Sequence, residues 1–165
     1  MNGPFVHIHL PVNTVPEMIA AIKALEDRNV LVGVPEEKTD RSDGAATNAL
    51  LTYLNDKGSP ARGIPAMNFM EGGIEDTGDR LEKGLALGAN QAIGGDKAAV
   101  ERTLTQVGLI AVSGIRNRID SGSYPPLKPA TIRARQRRGR TGTKRFQDTG
   151  QARNSITFVL RSKGK

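Results

Sequence analysis

An α+β fold, with a small mixed or antiparallel sheet packed against several helices, is predicted by three patterns in this chain. Alternating apolar runs lie near both ends, helical spacing fills the middle, and one stretch keeps a single apolar face for about six turns. The 165 residues suffice for one domain with a buried core. Aromatic residues make up only 4% and Trp is absent, so that core must be built from Leu, Ile, Val and Ala. The 19 Gly and 9 Pro imply much loop between the elements.

Residues 5–10 alternate, with Val6, Ile8 and Leu10 on one face, and predict a strand. Thr14-Val-Pro-Glu17 then has the form of a capping box, and Pro16 in the first turn removes no helical donor. Val15, Met18, Ile19, Ile22 and Leu25 predict the buried stripe of the following helix, with Asn29 as its left-handed stop. Residues 30–34 predict a second strand that closes a strand–helix–strand unit.

A polar loop over 35–44 leads to a helix at 45–56, which carries Leu50, Leu51 and Leu54 and ends at Gly58. Two prolines and a glycine forbid a helix over 59–69, which is expected to be an extended or edge segment. Helical spacing returns at Ile74, Leu81, Leu85 and Ile93, interrupted by Gly78, Gly84 and Gly88. Each glycine weakens a helix by roughly 1 kcal/mol relative to Ala, so either neighbours pack closely over them or the helix bends.

Asp96 is the expected cap of the longest helix, with Val100, Leu104, Val107, Ala111, Ile115 and Ile119 on one face and Gly122 as its end. A Pro-rich, basic arm follows. It holds a short helix from Pro129 to Arg138, a Gly/Thr/Arg loop, and a last strand over 155–161 that can pair within the subunit or with another. The organisation expected is a body over 1–122 and an arm over 123–165 within a single domain.

The net charge of +7 hides an asymmetry. Residues 1–115 carry 10 basic and 15 acidic side chains, whereas 116–165 carry 14 basic and 2 acidic. An acidic body with a basic tail suits contact with polyanions or docking of tail on body in a neighbouring copy. The absence of Cys rules out disulfides and thiolate metal sites. No secretory signal or membrane-length apolar run stands out, so a soluble protein made in a reducing cytoplasm is expected.

Catalytic motifs are lacking. His7 and His9 share a strand face without a third ligand, which favours solvent-facing histidines over a metal site. The carboxylates of 36–43 lack calcium-loop spacing. No phosphate loop, dinucleotide fingerprint or paired nucleophile and base is present, so no enzyme activity and no cofactor are expected. The basic run Arg133, Arg135, Arg137, Arg138, Arg140, Lys144 and Arg145 suits phosphates or an acidic protein surface. Tyr124 and Phe146 are its only aromatic neighbours, too few for stacking on single strands.

The order of several motifs resembles bacteriophage tail-completion and neck proteins, among them the virion morphogenesis proteins of Mu-like phages and the minor tail protein Z of lambda-like phages. The segments that carry the resemblance are Val32-Gly-Val34, the helix ending at Gly58, Gly63-Ile-Pro-Ala-Met-Asn-Phe69, Pro125-Pro-Leu-Lys-Pro-Ala-Thr-Ile132 and Asp148-Thr-Gly-Gln-Ala-Arg-Asn-Ser-Ile156. Met67 and Asn68 stand where the family usually has Arg and Pro, and Ala152 where it has a large apolar residue.

The resemblance implies a non-enzymatic virion protein of the tail or neck that joins the head connector to the tail. It implies a ring, of six subunits in that family, between a head-closure or stopper protein and the tail terminator or tube, with genomic DNA in the lumen. Expected interface residues, toward a subunit or DNA, are Tyr124, Pro125, Pro126, Leu127, the seven basic residues above, Asp148, Thr149, Gly150 and Gln151. Ile64, Pro65 and Phe69 form a second expected interface. Non-specific nucleic-acid binding by the basic segment is the alternative function.

Overall fold

The computed structural model describes residues 15–40, 46–146 and 148–163. The strand expected over 5–10, with His7 and His9, the Thr14 end of the capping box and the second half of the 35–44 loop lie outside the described residues. Within them the fold is α+β, seven α-helices with a two-stranded antiparallel sheet.

The helices are α1 (Val15–Glu26), α2 (Asn48–Lys57), α3 (Phe69–Glu75), α4 (Gly78–Ile93), α5 (Lys97–Ser121), α6 (Pro129–Arg137) and α7 (Gln151–Ser155). The strands are β1 (Arg28–Gly33) and β2 (Thr157–Ser162).

The spine is α5, 25 residues and roughly 37 Å long. Its Asp96 cap accepts a hydrogen bond from the Ala99 amide at 2.8 Å, and all six positions of the expected stripe are buried. At the other end the Arg118 carbonyl accepts the last helical bond, from the Gly122 amide at 2.9 Å, and a second from the Tyr124 hydroxyl at 2.7 Å.

Two apolar clusters sit along this spine. One joins Ala21, Ala92, Val100 and Leu104, with Leu25, Val30 and Leu160 packed on it. The other joins Met67, Phe69, Ile115, Ile119 and Ile156, flanked by Val32, Val34, Tyr124 and Phe146.

The glycines of the middle segment mark close packing. A Cβ on Gly73 would lie 2.5 Å from the Ile115 Cα, one on Gly84 2.9 Å from the Val107 side chain and one on Gly88 3.3 Å from Thr103. Gly73 therefore lets α3 approach the α5 backbone more nearly than a side chain permits, and Gly84 and Gly88 keep the α4–α5 contact tight. The chain also breaks between α3 and α4, where buried Thr77 turns its hydroxyl back to the carbonyls of Gly73 and Ile74, both at 3.1 Å.

Three expectations are corrected. In α1 the fully buried position is Ala21, while Val15, Ile19 and Ile22 are 43%, 46% and 40% exposed; of the expected stripe Met18 and Leu25 are half-buried, so the packed face is turned part-way from it. Asn29 is no helix stop; it lies inside β1 opposite Arg161, and α1 closes instead with the Asp27 amide on the Lys23 carbonyl. The 59–69 segment is not a plain extended strand. It holds a single 3-10 turn at Pro60–Arg62 and a bridge between Ser59 and Ile64. Buried Asp56 then holds the start of α3, its carboxylate accepting from the Met70 amide at 2.9 Å.

The sheet forms between distant parts of the chain, with Arg28 opposite Ser162 and Gly33 opposite Thr157. Phe158 lays its ring on Gly108 of α5, where no side chain would fit. A short helix, α7, entered through left-handed Gly150, ends at Ser155, so the last strand begins at Thr157 and not at the expected 155.

Candidate functional site

The basic C-terminal segment folds back on its own body. Phe146, held at a positive φ of 62°, meets Phe69 edge-on at 5.0 Å and Tyr124 at 5.7 Å between ring centroids. This aromatic clasp closes residues 124–146 into a loop against the cluster around Ile115.

Arginines then lock the loop from inside. Arg145 donates to the Pro125 carbonyl at 2.7 Å and the Pro126 carbonyl at 3.4 Å. Burial lowers its pKa, and the positive charge of Arg135 adds to the effect. Arg135, with its side chain only 11% exposed, donates to the carbonyls of Gly142 and Lys144 at 2.9 and 2.8 Å. Asp148 pairs with Arg140 at 2.8 Å and lies 3.9 Å from Arg135. Arg153 pairs with Asp120 of α5.

Thus Tyr124, Pro125, Pro126, Leu127, Arg135, Arg140, Arg145, Asp148, Thr149, Gly150 and Gln151 share one folded module. A cleft bordered by Leu127, Arg135, Asp148 and Gln151 faces Leu51 and Asn55 of α2. In α6 the proline at the first position fixes the entry, and Arg133 and Arg137, one turn apart, are exposed on the same side. With Arg138 and Lys144, also exposed, their side chains make no hydrogen bond or ion pair among the described residues.

The second expected interface divides. Ile64 and Pro65 are half-buried, whereas Phe69 is fully buried and its ring belongs to the chain's own core. Two further arginines that hold this region together carry no sequence motif. Arg116 donates to the carbonyls of Asn154 and Ile156 at 3.2 and 2.8 Å, and Arg118 holds Asp76 at 2.9 Å. Their only sequence signal is position, directly beside the buried Ile115 and Ile119.

Chemically the module is a donor-rich surface. Among the described residues no group of three or more His, Asp or Glu side chains is placed to hold a metal ion. No helix among them is long and apolar enough to cross a membrane. No protein-family model, no curated protein and no solved structure matches the chain.

Proposed function

We propose that this chain is a non-enzymatic structural protein of a bacteriophage virion. It completes the tail or neck and joins the head connector to the tail as one subunit of a ring. The observation that carries this reading is the occurrence, in family order, of Pro125-Pro-Leu-Lys-Pro-Ala-Thr-Ile132 and Asp148-Thr-Gly-Gln-Ala-Arg-Asn-Ser-Ile156 around one basic loop.

The geometry supports it in one respect. Both motifs serve to shape the module, through the Pro125 and Pro126 carbonyls and the Asp148 carboxylate, and that shape presents Arg133, Arg137, Arg138 and Lys144 outward. A rigid support for exposed donors loses little entropy on docking. Head-to-tail contact in a ring pairs this face with an unlike face of the next subunit, and the acidic body is suited to it.

Disabling the gene in its phage is expected to leave tailless or unjoined particles, and electron microscopy of particles carrying a tagged copy is expected to place the tag at the neck or tail. Infectious virions of normal form without the protein would refute the proposal. The second reading, non-specific contact of the same outward arginines with duplex phosphates, predicts affinity that falls steeply with salt.

A further inference from the structure

We infer that this chain binds a second copy of itself head to tail, the outward apolar face of α2 seating in an apolar groove between α4 and β1. The inference deepens the ring proposed above and rests on that reading for the closing of successive copies. The contact itself is carried by two surfaces of the chain. The first is an inverted helix. The buried positions of α2 are polar: Asn48, Thr52 and Asp56, each four residues from the next. The Asn48 amide donates to the carbonyls of Lys38 and Asp40 at 2.9 and 3.1 Å, and the Asp56 carboxylate accepts from the Met70 amide. This inward face is taken up with holding two loops. Leu50 and Tyr53, one turn apart on the opposite face, are 46% and 62% exposed. A surface helix ordinarily buries its apolar side, and an outward tyrosine is the kind of anchor that carries much of the energy of a protein contact.

The second surface is concave. Leu25, Val30, Ile74, Leu81, Leu85 and Val107 line a groove of about 440 Å³, in which Leu85 is left 46% exposed. That volume falls within the roughly 300–1,000 Å³ of clefts that take up a guest. Both surfaces are exposed in the same chain, so neither fills the other. A protruding face and a groove at different places on one chain make a heterologous contact, which repeats from copy to copy.

Charge selects a second copy as the occupant. Residues 71–83, which form the α3–α4 wall of the groove, carry five acidic and two basic side chains. Glu75 and Glu82, each next in sequence to a lining residue, are exposed. The surroundings of α2 are cationic. Lys57 stands exposed one turn beyond Tyr53, and Arg135, Arg145 and Arg153 line the cleft against Leu51 and Asn55. Seating α2 in the groove therefore sets a cationic border against an acidic wall. A like-on-like contact of two α2 faces would oppose cation to cation.

The chain has no Cys, so the contact is read by disulfide trapping. Tyr53→Cys and Leu85→Cys, both at exposed positions, are purified apart, mixed, oxidised and run on a non-reducing gel. The expected product is a covalent dimer that forms in the mixture and in neither variant alone. A dimer from either variant alone means a like-on-like contact, and monomers throughout mean that no copy seats in the groove; both results overturn the inference. Sedimentation of the full-length chain gives a second measure. Tyr53→Ala is expected to raise the dissociation constant of the self-complex at least about tenfold while the unfolding midpoint stays, and an unchanged constant overturns the inference. Both experiments use the purified chain without phage, so a failed contact leaves the virion role to stand or fall by gene disruption.

Discussion

Arg133 and Arg135 stand two residues apart on α6, and the difference in their surroundings separates structural from surface arginines. Arg135 satisfies two loop carbonyls that burial would otherwise leave unpaired, and charged donors of this kind contribute more than neutral ones. Arg135→Ala is therefore expected to cost about 2–3 kcal/mol in urea unfolding. Arg133→Ala and Arg137→Ala remove no partner among the described residues and are expected to stay within about 0.5 kcal/mol. Equal effects at all three positions would contradict the assignment. Tyr124 supplies a pH signature at the same scale. Desolvation raises its pKa above the ordinary 10.0, so the folded state holds the phenol proton more firmly than the unfolded chain. Its contribution is fully present below pH 10.0 and is lost as pH rises through the folded value. Tyr124→Phe is expected to make stability fall less steeply above that pH, as followed by denaturation at several alkaline pH values.

At the scale of elements, legibility followed local rules and failed where a distant neighbour decided. The stripe and cap of α5, the extent of α6 and both strands were readable because periodicity, a capping Asp and β-branched residues act over one or two turns. The face of α1 was not, because Ala21 is buried by its fit beneath α4 and α5 and not by its hydrophobicity. Nor was the inward turn of Arg135, whose acceptors lie seven and nine residues on in a loop without a pattern. The glycines posed a choice between bending and close approach, and the structure contains both. Gly73 and Gly78 separate these causes by experiment. Gly73→Ala drives a methyl into the Ile115 backbone and is expected to cost about 1–3 kcal/mol. Gly78 faces open space, so Gly78→Ala is expected to gain roughly 0.5 kcal/mol. Thermal unfolding of the two variants reads opposite shifts, and a loss at Gly78 would mean that its backbone freedom is needed at the start of α4.

For the whole molecule the question is what the outward cations meet. The charge asymmetry of the sequence is real, but much of it is consumed internally: Arg116, Arg118, Arg135, Arg140, Arg145 and Arg153 all hold carbonyls or carboxylates of their own chain. Among the described residues, Arg133, Arg137, Arg138 and Lys144 of the module are exposed and hold no group of their own chain. Replacing Arg133, Arg137 and Arg138 by Glu tests the use of these cations, since none has a partner to lose among the described residues. If the face docks on a neighbouring subunit or an adjoining virion protein, the triple variant is expected to keep its unfolding midpoint yet fail to assemble, giving unjoined particles. If it contacts duplex phosphates, the slope of log affinity against log salt is expected to shrink by about three, since each lost phosphate contact removes roughly 0.9. The proposed role predicts the first result together with a salt slope that does not change, because attraction between the ring and the passing genome would retard its movement. Normal particles assembled from the triple variant would remove this face from the joint altogether.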